Sequence, residues 1–138
     1  MAIQGSCFCG AVTFAVRGKL HNARSCHCSM CRKAFSAQAS AYAEIEPGTF
    51  EWLSGEDKLT SFDTGNGGGL KFCSVCGSTL CGTFQDQIHG VTLGCVNGDP
   101  GVSIGMHIYV GSKAPWEVLP DGVRAYNEGP PDDAPAPA

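Results

Sequence analysis

Cys73-Ser74-Val75-Cys76-Gly77 reads as a metal-gripping turn: two thiols close together on a tight bend, followed by a glycine where positive φ is needed. Cys7-Phe8-Cys9-Gly10 is a tighter pair with the same trailing glycine. A turn of this kind supplies half of a tetrahedral site, and the other half comes from a second turn far along the chain. Joined, Cys7, Cys9, Cys73 and Cys76 make one closed four-sulfur site that staples the N-terminal region to the middle of the chain. A third cluster, Cys26-His27-Cys28-Ser29-Met30-Cys31, carries three thiols within one turn. Its fourth ligand decides what it can do. If Cys81 fills that position, both sites are closed and the metal is a fastener. If a water or a substrate thiol fills it, the site can do chemistry.

The rest of the composition fits a metal-bound intracellular domain. The 138 residues include nine cysteines, an odd and clustered set that does not suit a disulfide framework. The sequence starts Met1-Ala2-Ile3-Gln4-Gly5-Ser6-Cys7, without the basic and apolar regions of a signal peptide, so a cytoplasmic location is expected. No apolar run approaches the roughly 20 residues needed to span a bilayer. With 9 Lys+Arg against 13 Asp+Glu, the net charge of -4 gives little attraction for nucleic acid or anionic lipid. A length of 138 residues with 43% hydrophobic positions is enough for one domain with its own core.

Glycine and proline punctuate the chain. Their 19 and eight occurrences leave one breaker-free stretch longer than nine residues, Lys19 to Glu46. An average helix needs roughly 11 residues, so long helices have almost no room elsewhere. Within that stretch, 30–35 suits a turn or two of helix. Strands are expected at 11–16, 90–96 and 106–110, and at 49–53 and 58–62 around Ser54-Gly55-Glu56-Asp57, which reads as a hairpin turn. Gly65-Asn66-Gly67-Gly68-Gly69 reads either as a long hairpin loop or as a lid beside a metal site. The expected architecture is mostly antiparallel β: a domain over 1–128 and a disordered Pro/Ala/Asp tail over 129–138.

Several single residues bear on the site. Arg24, Arg32 and Lys33 flank the thiol trio and can offset its negative charge or grip a ligand carboxylate. His107 is either a general acid/base near the trio or a half-buried, hydrogen-bonded histidine. His27 lies between two ligands, so it points away from the metal toward supporting groups or solvent. Cys95 reads as a small buried hydrophobe, Trp116 as packing under a loop, and Phe35 and Trp52 as core.

Three segments together resemble a known family: 5–12 (Gly-Ser-Cys-Phe-Cys-Gly-Ala-Val), 26–33 (Cys-His-Cys-Ser-Met-Cys-Arg-Lys) and 72–78 (Phe-Cys-Ser-Val-Cys-Gly-Ser). They are similar to the glutathione-dependent formaldehyde-activating enzymes, whose domain is shared with centromere protein V, and His107 to Trp116 is similar to that family's end. The resemblance covers roughly residues 3 to 128, and the three motifs in order make it specific. It implies a β-tent fold of small antiparallel sheets and two zinc ions. Cys7, Cys9, Cys73 and Cys76 would hold the structural zinc. Cys26, Cys28 and Cys31 would hold the catalytic zinc, with its fourth position open to a substrate thiol. The implied reaction joins glutathione and formaldehyde and belongs to the carbon–sulfur lyases.

Two functions follow as expectations. The first is a zinc enzyme that joins or cleaves a small thiol and an aldehyde such as formaldehyde. The second is a non-catalytic, zinc-stapled binding domain with two closed thiolate sites. A redox role for Cys73-Ser74-Val75-Cys76 lacks the βαβ setting such a motif needs.

Overall fold

The computed structural model describes residues 2–132, and of the expected tail the stretch 133–138 lies outside the described residues. Among the described residues the chain forms eleven strands: β1 (Ile3–Ser6), β2 (Thr13–Val16), β3 (Leu20–Cys26), β4 (Tyr42–Ile45), β5 (Phe50–Ser54), β6 (Leu59–Gly65), β7 (Gly68–Cys73), β8 (Thr79–Phe84), β9 (Gln87–Thr92), β10 (Val96–Asn97) and β11 (Met106–Ile108). One α-helix, α1 (Ser29–Phe35), falls in the breaker-free stretch. The fold is mostly β, as the glycine punctuation requires. No helix of the described residues is long and apolar enough to cross a membrane.

The chain divides into two compact units. Unit 1 comprises Met1–Leu20 and Ala43–Gly101. It contains a four-stranded sheet in the order β10-β1-β2-β5, antiparallel throughout, with Ile3 opposite Val16 and Phe14 opposite Trp52. A run β4-β9-β8-β7-β6 supplies its other strands. Phe14, Val12, Val16, Leu80 and Val91 are fully buried. Phe14 stacks on Phe50 at 5.2 Å between ring centroids and meets Trp52 edge-on at 6.2 Å. Trp52 and Phe35 are both half-buried. Gly5 sits under the Phe14 ring, and any side chain there would run into that ring and the Cys95 carbonyl.

Two local expectations are corrected in this unit. Strands β5 and β6 do not form a hairpin: β5 pairs with β2 and β6 with β7. The residues between them turn a corner from one sheet to the other, through Gly55 at φ 77 and a 3₁₀ turn at Glu56–Lys58. The glycine-rich stretch is neither a lid nor a long loop. Gly65 pairs with Gly68, leaving Asn66-Gly67 as a two-residue turn with both φ values positive, 54 and 81. That is the sterically preferred hairpin connection for right-twisted strands.

Unit 2 comprises His21–Tyr42 and Val102–Ala138. Its centre is a parallel pairing of β11 with β3, with His107 opposite Ser25 and Ile108 opposite Cys26. Ala23, Cys26, Met106, Ile108 and Ala114 are its buried apolar residues.

Candidate metal centres

The first cluster is built by two turns of unit 1. Cys7 follows β1, and its carbonyl accepts from Gly10 at 3.1 Å, closing a bend that needs the positive φ of 81 found at Gly10. Cys73 ends β7, and its carbonyl accepts from Gly77 at 2.8 Å, where φ is 84. The two turns are joined by the Phe8 amide donating to Ser78 Oγ at 2.9 Å. Cys7, Cys9, Cys73 and Cys76 place their sulfurs within 4.8 Å of one another. Cys7 Sγ lies 3.6 Å from Cys9 Sγ, which lies 3.8 Å from Cys73 Sγ. A zinc tetrahedron with bonds of roughly 2.3 Å has edges of roughly 3.8 Å, so the donor set fits that ion. Amide N–H groups of Val12 and Val75 point at the sulfurs of Cys7 and Cys73, at 3.3 and 3.4 Å, as charged thiolates require.

The second cluster lies in unit 2. Cys26 ends β3, Cys28 is the N-cap of α1, and Cys31 lies in that helix's first turn. Cys28 Sγ accepts from the Cys31 amide at 3.3 Å. Cys26 is fixed by Ser40, whose Oγ accepts from its amide at 3.1 Å and whose amide donates to its carbonyl at 3.0 Å. The three sulfurs lie within 4.8 Å of one another, again close enough to share one thiophilic ion.

Charge in both clusters is arranged for a cation. The Cys31 thiol beside it, helped by the Arg24 charge, brings Cys26 down to about 6, while hydrogen bonding to Cys26 and burial push Cys31 far up. Ser78 brings Cys76 down to about 5. Thiols this close cannot all ionise until a positive ion joins them.

Other expected residues fall as follows. Cys81 joins neither sulfur group: it is a fully buried residue of β8, and burial pushes its thiol up to about 12. Cys95 lies in a 3₁₀ turn rather than a strand, half-buried, with its thiol 3.4 Å from the Thr79 carbonyl. Arg24 stacks over Tyr42 at 5.5 Å, whereas Arg32 and Lys33 occupy the last turn of α1. His27 turns away from the sulfurs but not to solvent; it is fully buried. Its Nε2 lies 3.0 Å from His107 Nδ1, and its Nδ1 lies 2.9 Å from Glu117 Oε1. His107 is thus the half-buried, hydrogen-bonded residue of the two alternatives. Trp116 corrects another expectation, being 70% exposed rather than packed under a loop.

Glu117, Ser40 and Ser78 were not visible in the sequence as site residues. Glu117 follows a tryptophan and precedes a valine, and alternation would turn those two inward. The reverse holds because the carboxylate has a buried imidazole to meet.

The family model for glutathione-dependent formaldehyde-activating enzyme matches residues 2–112. No curated protein sequence matches the chain. The crystal structure of a Rhodobacter sphaeroides protein is similar over 89% of this chain and 98% of that one, with a TM-score of 0.55 and 23% identity. Identity that low shows a shared fold only.

Proposed function

We propose a carbon–sulfur reaction for this protein, on the premise that the chain belongs to the glutathione-dependent formaldehyde-activating enzyme family. In it a small thiol of the glutathione type adds to an aldehyde such as formaldehyde, or is released from the adduct. The thiol sulfur bonds to the carbonyl carbon, the C=O π pair moves to oxygen, and the thiol proton ends on that oxygen. The observation that supports this most directly is the donor count: three cysteines of unit 2 converge, and neither remaining cysteine, Cys81 in β8 or Cys95, joins them among the described residues.

Cys26, Cys28 and Cys31 would hold a zinc ion, and Cys7, Cys9, Cys73 and Cys76 a second, structural one. A zinc ion held there would lower the pKa of an added thiol and favour its deprotonated form near neutral pH. The chain's own residues orient the partners. Ser40 fixes Cys26 from the backbone, and the cap of α1 fixes Cys28 and Cys31. Arg24 adds positive charge beside Cys26. Holding thiol and carbonyl together removes most of the entropic barrier to the addition.

The test is Cys28→Ser. With glutathione and formaldehyde, the wild-type protein should speed adduct formation measured by exchange NMR. The variant should lose that acceleration and one of two zinc equivalents while keeping a dispersed amide spectrum. Two fully protein-coordinated zincs and no response to thiols would favour the zinc-stapled binding domain instead.

A further inference from the structure

Strand β6 ends its sheet: β7 lies on one side, and among the described residues no strand lies on the other. The register fixes which of its backbone groups face which way. Leu59 lies opposite Cys73 and Asp63 opposite Gly69, and one step before Leu59 the Lys58 carbonyl accepts from the Ser74 amide at 2.8 Å. Backbone groups of an antiparallel strand alternate between its two sides. Thr60 and Phe62, in step with Lys58, therefore bond to β7. Leu59, Ser61 and Asp63 turn their N–H and C=O groups to the open edge. The far side of β7 agrees, since Gly67 and Cys73 bond there to Gln85 and Ser78, which flank β8. Thr60, Ser61, Phe62 and Asp63 are all exposed, Phe62 to 63%.

Edge strands are ordinarily blunted by proline, by lysine or by a bulge. From Leu59 to Asp63 this edge has none of the three, and its register shift comes only after Asp63. A row of alternating donors and acceptors of this kind is matched, residue for residue, by another extended strand.

We infer that the edge pairs antiparallel with β6 of a second copy of this chain, about a two-fold axis at Ser61. Facing residues must both be outward ones, which allows an axis at Thr60, Ser61 or Phe62. Only the Ser61 axis engages all three outward residues of 59–63. Leu59 then faces Asp63 of the second copy, Ser61 faces Ser61, and Asp63 faces Leu59, each pair exchanging two N–H···O bonds. It also sets no like charges opposite each other, since Lys58 meets Thr64, whereas the Thr60 axis brings Asp57 onto Asp63. On the other face of the strand, Thr60 lies against Phe62 of the second copy. The two Phe62 rings come within diagonal reach, which covers a side chain otherwise left in water. The surface belongs to unit 1 and uses no cysteine, so it holds or fails apart from the thiol reaction.

The experiment uses the zinc-loaded full chain. Sedimentation velocity from about 1 to 500 μM should show a reversible monomer–dimer equilibrium, weak because the interface is small. Between those limits the amides of Leu59, Ser61 and Asp63 should slow in hydrogen exchange by about fivefold, while those of Thr60 and Phe62 are slow throughout. In a mixture of labelled and unlabelled protein, isotope-filtered NOEs should join Thr60 Hα of one copy to Phe62 Hα of the other. Ser61→Pro deletes an N–H that faces the open edge, so it should fold and stay monomeric, whereas Ser61→Ala should dimerise like the wild type. A monomer at every concentration, a dimer that survives Ser61→Pro, or NOEs of another register would each overturn the proposal. So would outward amides protected equally at every dilution, which would mean that the chain covers its own edge. If the proline variant does not fold, Ser61→Glu sets two carboxylates face to face across the axis. It should weaken the dimer about tenfold, and an unchanged equilibrium would overturn the proposal.

Discussion

Cys81 keeps its proton where a solvated thiol would lose it, and that has a thermodynamic consequence. Its ordinary value is 9.0, and burial pushes it up to about 12. The unfolded chain therefore releases this proton first as the pH rises. A raised acid stabilises the fold below its unfolded pKa and loses that contribution through the window from 9.0 to about 12. At pH 10 the loss is roughly 1.4 kcal/mol. The unfolding free energy from urea titration should fall between pH 8 and 10 by about 1.4 kcal/mol more for the wild type than for Cys81→Ala. An equal fall would show that Cys81 is not protected. At this scale the sequence was most legible where residue type itself is the chemistry: all seven clustered thiols were identified from spacing. Glu117 was not, because its role depends on a partner ninety positions away that no local pattern announces.

At the scale of elements, spacing and punctuation located α1, β2, β5 and β11, and failed on pairing. The stretch between β5 and β6 has the composition of a hairpin turn, but the partner of each strand is set by which face must be buried. The glycine run shows the converse. Its Asn66-Gly67 pair was a tight-turn signal in plain view, obscured by the glycines around it. Two substitutions separate the demands on glycine here. Gly67→Ala meets no atom closer than 3.6 Å and suffers only from φ 81, so it should cost about 1 to 2 kcal/mol. Gly55→Ala has a similar φ of 77 and also drives its methyl into the Ala11 carbonyl, so it should cost about 3 kcal/mol or more. Urea unfolding of both proteins reads the order, and a reversed order would contradict the corner geometry at Gly55.

Across the whole molecule each compact unit carries its own sulfur cluster, and the two clusters constrain different lengths of chain. Cys9 and Cys73 meet across 64 positions, whereas the trio of unit 2 is contained in a single turn and helix start. Closing a long loop removes more freedom from the unfolded chain than pinning a short one. Cys73→Ser should therefore lower the melting temperature far more than Cys28→Ser. Hydrogen exchange should show lost protection through β1, β2 and β7 in the first case, and around α1 in the second. The division into two units was not legible in the sequence, where each unit is assembled from two separate segments.

The inward turn of Glu117 leaves Trp116 at the surface, and the chain's other indole, Trp52, lies against Phe14 and Phe50 in unit 1. The protein thus carries one tryptophan in each unit, half-buried in unit 1 and exposed in unit 2. Iodide should quench the red-shifted emission of a Trp52→Phe variant strongly and that of a Trp116→Phe variant weakly. Melting followed through these two variants would report each unit separately, without any attached dye.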